Sequence, residues 1–195
     1  MNSVLQQLYM MPSFRKGILE VLADTNEVNA LYCVKWIFGN LRNGRGNYFD
    51  ASALCKQIKD FDGRYLSIYE QKDADEFFNL LMDRLEANLK NTDRPELVKD
   101  IFGGSFANDV IGEDCPHRST VTEGFLALNL QINNKKNIVE ALNSFIEAEK
   151  LSGSNAYYCE KCGKKVNARK RVSLKVLPNV LVITLKRFEF NFQRG

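Results

Sequence analysis

The stretch "DCPHRS" (residues 114–119) contains the only histidine of the 195-residue chain, His117, two positions after Cys115. A cysteine protease needs a thiol and an imidazole, and a mixed-ligand zinc site needs both as well. One histidine cannot readily serve both purposes. The fold of the second half of the chain therefore depends on which other residues lie beside Cys115 and His117.

A second thiol pair, Cys159 and Cys162, lies in "CEKC". With Cys115 and His117 it completes three thiols and one imidazole, which fill the four positions of tetrahedral zinc. Each pair adjoins a turn-forming proline or glycine between strand-like segments, so two hairpin turns can bring the pairs together. We therefore predict one structural zinc ion, because a filled ligand set leaves no open position for a substrate.

Two other interpretations of these cysteines stay open. The Cys-x-His spacing could be accidental and the later pair could be free thiols on a turn. Redox use of Cys-x-x-Cys is less favoured, because no βαβ pattern follows it. If zinc holds His117, Cys33 and Cys55 have no base within these residues, and their apolar helical surroundings favour buried packing roles.

Composition alone selects no class of partner. Hydrophobic residues make up 45% of the chain, and 27 Lys+Arg against 24 Asp+Glu leave a net charge of +3. This balance does not favour a nucleic-acid binder, and the apolar runs are too short to span a membrane. The first residues lack the order of a secretory signal. We expect a soluble, cytoplasmic protein that could also enter the nucleus and that has no disulfide.

The periodicity of apolar residues changes along the chain. In "DADEFFNLLMDRLEANLK" (residues 73–90) they recur every four positions behind an acidic first turn, which predicts a helix. In "LALNLQI" (residues 126–132) they alternate, which predicts a strand with one buried face, and "NVLVITLKRFEF" (residues 179–190) predicts a largely buried strand. The order indicates an α+β fold, helical at residues 1–103 and β at residues 104–195.

Five segments carry more specific motifs: "MNSVLQQLYMMPSFRKGIL" (residues 1–19), "YEQKDADEFFNLLMDRLE" (69–86), "CPHRSTVTEGFLALNLQI" (115–132), "YYCEKCGKKV" (157–166) and "LPNVLVITLKRFEF" (177–190). In this order they resemble the ubiquitin-specific proteases, a family of cysteine deubiquitinases, and especially its fat-facets-like branch. The resemblance implies part of a papain-like hand: a helical thumb, antiparallel β fingers that carry the zinc knuckle, and the first strand of a β palm.

The resemblance also implies a binding site for ubiquitin. Gln71, Asp73 and Glu76 would contact its arginine-rich C-terminal tail, because carboxylates accept charge-assisted hydrogen bonds from guanidinium groups. Lys72 stands where the family pattern has a second glutamine, which places a positive charge near a cationic tail. The acidic residues have a second interpretation, stabilisation of the first turn of a helix by its dipole, and the two roles are compatible.

The family's reaction is the removal of ubiquitin from proteins by thiol-dependent hydrolysis after its C-terminal glycine. By resemblance, the catalytic cysteine would lie before Met1 and the catalytic histidine after Gly195, so we expect these residues alone to be inactive. One alternative is a non-catalytic ubiquitin-binding module. A zinc-ribbon nucleic-acid binder, suggested by "KCGKKVNARKRVSLK" (residues 161–175), is less favoured, because alternation along a strand indicates a solvated outer face.

Overall fold

The computed structural model describes residues 1–22, 27–44 and 48–187. The chain divides into two compact units, Met1–Ile101 and Phe102–Gly195. Helices dominate the first unit and strands the second, which confirms the α+β class. Within the described ranges, no helix combines the length and the apolar character that a membrane crossing requires.

The first unit is helical. Its described residues form helices α1 (Asn2–Met10), α2 (Pro12–Glu20), α3 (Ala30–Asn43), α4 (Ser52–Cys55), α5 (Ala74–Leu89) and α6 (Leu97–Phe102), the last of which ends at the boundary of the unit. Phe38 of α3 is fully buried, and its ring meets those of Tyr9 and Phe14 edge-on at centroid distances of 5.5 and 6.1 Å. These aromatic contacts join α3 to α1 and α2.

Helix α5 confirms the predicted helical stripe. Asp73 precedes its first turn, and Asp73 Oδ1 accepts hydrogen bonds from the backbone N–H groups of Asp75 and Glu76 at 2.7 and 3.3 Å. Burying a large apolar side chain contributes about 1.5–3 kcal/mol, so packing outweighs intrinsic helix propensity here. The residues of the stripe are all 1% exposed or less: Phe77, Leu81, Leu85 and Leu89.

The second unit consists of strands and one longer helix. Its elements are β1 (Gly104–Gly112), β2 (Arg118–Phe125), β3 (Ala127–Gln131), α7 (Ile138–Ile146), β4 (Glu149–Leu151), β5 (Tyr157–Cys159), β6 (Lys164–Val166), β7 (Ala168–Val176) and β8 (Val182–Lys186). Four strands form an antiparallel sheet in the order β2-β1-β7-β4, and β5 and β6 form a separate antiparallel hairpin. The predicted antiparallel arrangement is confirmed for these strands.

Strands β3 and β8 pair in parallel, from Ala127 opposite Val182 to Gln131 opposite Lys186. Leu128 and Leu130 of β3 are buried in one cluster with Ala141 of α7, which confirms the predicted alternation. The prediction that the last strand is largely buried is wrong for β8, whose residues are half-buried or exposed because β3 is its only strand partner among the described residues. Residues 188–190 of that predicted strand lie outside the described part of the chain.

A buried carboxylate links β1 to both neighbouring strands. Asp109 of β1 is 0% exposed and lies opposite Thr120 in β2 and Arg171 in β7. Its Oδ1 accepts hydrogen bonds from the guanidinium of Arg118 and from the Thr120 hydroxyl, both at 2.7 Å. Within the described ranges Oδ2 has no hydrogen-bond partner, and it lies 3.8 Å from Arg171 Nε. The bond from Arg118, with that from Thr120, lowers the pKa of Asp109 to about 2.

The replacement Asp109→Asn should remove one acid-dependent part of the free energy of unfolding. Because the pKa of Asp109 falls from 3.8 to about 2 on folding, its ionised form stabilises the native state above about pH 4, and this stabilisation is lost as pH falls through about 2. Denaturant unfolding between pH 5 and 2 should therefore give a higher free energy of unfolding for the wild type than for Asp109→Asn, and this difference should become smaller as the pH falls. The control Asp83→Asn removes an exposed carboxylate from α5. A difference in the free energy of unfolding that does not change with pH would contradict the prediction.

Candidate metal centre

Two turns of the second unit bring four ligand side chains together. Cys115 and His117 lie in the loop from Gly112 to Arg118, which joins β1 to β2 and is called here the first knuckle. Cys159 ends β5 and Cys162 lies in the turn before β6, called here the second knuckle (residues 159–163). The four ligand atoms all lie within 4.8 Å of one another, so the predicted set converges.

Three distances within this cluster are close to those around a tetrahedral ion. His117 Nδ1 lies 3.5 Å from Cys159 Sγ and 3.3 Å from Cys162 Sγ, and Cys115 Sγ lies 3.9 Å from Cys159 Sγ. Zinc bonds of about 2.3 Å to sulfur and 2.0 Å to nitrogen place tetrahedral ligands about 3.8 Å apart for two sulfurs and about 3.5 Å apart for sulfur and nitrogen. The short distances from His117 Nδ1 to the two thiols identify Nδ1 as the ring atom that faces them.

The first knuckle requires glycine at position 112. The backbone N–H of Gly112 donates to the carbonyl of His117 at 3.1 Å, which closes the loop over Cys115. A Cβ on Gly112 would lie 2.6 Å from Cys115 Sγ and 2.8 Å from Cys115 O, both shorter than van der Waals contact. Gly112 was not predicted from the sequence, although a glycine three positions before a Cys-x-His pair is a signal for such a close approach.

The second knuckle is a tight turn around one carbonyl. The backbone N–H groups of Cys162 and Gly163 both donate to Cys159 O, at 3.1 and 2.8 Å. Gly163 has a φ of 65°, a left-handed conformation that glycine adopts without steric cost. The strand pairs on either side, Cys159 with Lys164 and Tyr157 with Val166, hold the ends of the turn together. Both thiols therefore face the same point.

The thiols of the cluster differ in their ionisation. Burial and the neighbouring thiols of Cys159 and Cys115 raise the pKa of Cys162 to about 11. Burial opposes the ionisation of Cys159, but hydrogen bonds from the backbone and thiol of Cys162 and from the thiol of Cys115 together lower its pKa. Without a cation, three thiolates this close would repel one another. A bound divalent cation removes this repulsion, because coordinated thiols are held as thiolates.

This donor set suits a soft, four-coordinate metal ion. Thiolates and imidazole select zinc or similar ions over magnesium or calcium, which prefer oxygen. Cys159 is buried and the other three ligands are half-buried, so the cluster is partly shielded from water. The residues present fit a structural metal ion that cross-links the two knuckles.

The other cysteines lie in the first unit. Cys33 and Cys55 are buried, and burial raises the pKa of both thiols. A raised pKa is the opposite of what a nucleophilic cysteine needs, so both thiols fit the packing role predicted for them.

The predicted ubiquitin-tail residues lie at the start of α5. Asp73 is the N-cap of this helix, Gln71 is exposed and Glu76 is half-buried in the first turn. The ammonium of Lys72 lies 3.4 Å from Glu70 Oε2 and 3.7 Å from Asp60 Oδ2, so its charge is balanced by two carboxylates of the same unit. The structure thus gives Asp73 its predicted role at the helix start, while contact with a ubiquitin tail stays a prediction.

Comparison with known proteins identifies relatives along the whole chain. A family model described as ubiquitin carboxyl-terminal hydrolase matches residues 1–194. The chain is 40% identical over 197 residues to ubiquitin carboxyl-terminal hydrolase 24 of Homo sapiens and 35% identical over 240 residues to ubiquitin carboxyl-terminal hydrolase 9X of Mus musculus. It is 33% identical over 244 residues to the probable ubiquitin carboxyl-terminal hydrolase FAF of Drosophila melanogaster. Each comparison covers 100% of this chain and only 8–9% of the relative.

The replacement Gly112→Ala should weaken metal binding at the cluster. The added methyl group would force Cys115 away from the other ligands, and overpacking of this kind costs about 1–3 kcal/mol, or about 5- to 150-fold in affinity. Titration with Co²⁺, followed by its visible absorption, measures the effect. The matched control Gly124→Ala lies in β2 of the same unit, where the nearest atom to the new Cβ is 3.8 Å away. Equal affinities in the two variants would contradict the prediction.

Proposed function

Because the chain belongs to the ubiquitin carboxyl-terminal hydrolase family, we propose that it is part of a deubiquitinase domain of the fat-facets-like branch. Such a domain removes ubiquitin from proteins by thiol-dependent hydrolysis after the C-terminal glycine of ubiquitin. The observation that carries this proposal is the family match over residues 1–194. The helical unit, followed by an antiparallel sheet with a Cys₃His cluster, supports it as the thumb and fingers of the family's hand.

The chemistry of the described residues supports a role for them in binding rather than in hydrolysis. Hydrolysis by a thiol needs an activated cysteine and a base within hydrogen-bond reach. Burial keeps Cys33 and Cys55 protonated, and the only imidazole, His117, lies among the cluster thiols. The same observation favours a second candidate function, a ubiquitin-binding module that performs no hydrolysis itself.

We assign the start of α5 to the recognition of a cationic ubiquitin tail. Capping of the helix uses Asp73 Oδ1, which leaves Oδ2 able to accept a bond from an arginine side chain. Glu76 in the first turn and Gln71 before it add two further acceptors. Lys72 does not oppose this role strongly, because Glu70 and Asp60 balance its charge. Helix capping and tail binding are therefore compatible roles for Asp73.

Ubiquitin titration of the 195-residue chain tests this assignment. A carboxylate–guanidinium pair that water still reaches contributes about 0.2–1 kcal/mol, so Glu76→Gln should weaken ubiquitin binding up to about fivefold. The matched control Asp83→Asn makes the same charge change on the same helix, two turns further on, and should leave affinity unchanged. Ubiquitin without its C-terminal tail should bind both variants equally.

Two results would count against the assignment. Equal losses of ubiquitin affinity in Glu76→Gln and Asp83→Asn would mean that the overall charge of the chain, and not a contact at Glu76, is the cause. Absence of ubiquitin binding at millimolar concentration would contradict the tail assignment and the binding-module alternative for these residues.

We also propose that zinc is the ion of the cluster. Cys115, His117, Cys159 and Cys162 supply three thiolates and an imidazole at tetrahedral spacing. When bound, zinc supplies a closed cross-link between the two knuckles and no site for a substrate. The role of this chain's own residues is to hold the ligands in one orientation.

Elemental analysis of the purified chain should find about one zinc per chain, as expected for a four-ligand structural site. The replacement His117→Ala leaves three thiols and should lower the zinc content after dialysis against a chelator. The control Cys55→Ala removes a buried thiol outside the cluster and should keep the metal. Zinc content unaffected by His117→Ala would exclude the histidine from the ligand set.

A further inference from the structure

Two hydrogen bonds link the first knuckle to the junction between β6 and β7. The backbone N–H of Glu113 donates to the carbonyl of Asn167 at 2.7 Å. The backbone N–H of Asn167 donates to Asp114 Oδ2 at 2.9 Å, across 53 residues of sequence. Both backbone polar groups of Asn167 are thus bound by adjacent residues of the other segment. These two bonds are called here the Asp114–Asn167 clasp.

A charged cluster supports the same junction. Glu113 Oε1 lies 2.6 Å from Arg169 Nε, and Glu113 Oε2 lies 3.7 Å from Lys150 Nζ. Arg169 and Lys150 are directly opposite each other in the ladder between β4 and β7, where like charges destabilise a sheet. The carboxylate of Glu113 offsets this repulsion, and its hydrogen bond from Arg169 lowers the pKa of Glu113.

The clasp lies beside the ligand cluster without belonging to it. Asp114 directly precedes Cys115, and Asn167 directly follows Val166 of β6, the strand that pairs with β5 and so with Cys159. Neither clasp residue is in the group of ligand atoms that lie within 4.8 Å of one another. Each end of the clasp therefore adjoins one knuckle.

We propose that Asp114 and Asn167 are positioning residues for the metal site, holding the two knuckles in register before the ion binds. Residues 42 to 47 positions apart in sequence must meet in the cluster, and bringing distant segments together costs chain entropy. The clasp moves this cost from metal binding to folding, which raises metal affinity. The inference rests on the proposed function in that zinc is taken as the ion.

Zinc transfer to a chromophoric chelator, measured on the 195-residue chain, tests the clasp. Loss of a residue that orients metal ligands typically costs about 10- to 100-fold in metal affinity, so Asp114→Ala should release zinc about 10- to 100-fold faster. Asp114→Asn keeps a side-chain oxygen that can accept from the N–H of Asn167, and should release zinc at nearly the wild-type rate. Co²⁺ absorption spectra should show the same sulfur and nitrogen ligands in every variant.

A control separates positioning from general destabilisation. Asn137 caps α7 by accepting a hydrogen bond from the N–H of Glu140 at 3.0 Å, so Asn137→Ala should destabilise the same unit and leave zinc release unchanged. Equal release rates for wild type and Asp114→Ala would overturn the clasp. Fast release from Asp114→Asn would also overturn it, since charge and not the hydrogen bond would then be the cause. Zinc release from Asn137→Ala as fast as that from Asp114→Ala would also overturn the clasp, because general destabilisation of the unit would then explain the effect.

Failure of the underlying proposal gives a different result. A wild-type chain that holds no zinc before transfer would contradict the zinc assignment and the clasp together. One zinc per chain with equal transfer rates in all variants would contradict the clasp alone.

Discussion

The closure of one ligand cluster by two distant knuckles is the constraint on which the second unit depends. Cys115 and His117 follow β1, while Cys159 and Cys162 belong to a hairpin that leads through Asn167 into β7. Strands β1 and β7 are also neighbours in the sheet. The segment around β1 and the segment around β7 are therefore joined twice, by the hydrogen bonds between these strands and by the ligand cluster. A metal ion held by these ligands would stabilise the small hairpin of β5 and β6, which has few apolar side chains to bury.

Carboxylates of β1 and of the loop that follows it organise the basic residues of the sheet. Asp109 accepts hydrogen bonds from Arg118 and lies near Arg171, and Glu113 binds Arg169. The basic stretch at residues 161–175, which suggested a nucleic-acid binder, thus has two of its arginines within ion-pair distance of carboxylates in the same unit. This arrangement is typical of a sheet that balances its own charge, and it leaves less positive charge available to phosphates.

In the first unit the capping role of Asp73 is compatible with the tail recognition proposed for it. Asp73 begins α5 by binding two backbone N–H groups through one oxygen, while its other oxygen can accept a bond from an arginine-rich partner. Because the helix is fixed by its buried stripe, the cap and the neighbouring Glu76 are held in place before any partner arrives. From the sequence, the positive charge of Lys72 was expected to lie near a cationic tail. In the structure, Lys72 forms ion pairs with the carboxylates of Asp60 and Glu70.

The sequence by itself determined the α+β order, the buried stripe of α5 and the four cluster ligands, because each depends on local periodicity or on residue chemistry that few alternatives share. It did not determine that β3 pairs in parallel with β8, that Gly112 must lack a side chain, or that Asp109 is buried among arginines. Nor did it indicate that Asp114 and Asn167 bind each other. These features arise from contacts between residues far apart in the chain, and only tertiary structure decides which distant backbone and charged groups meet.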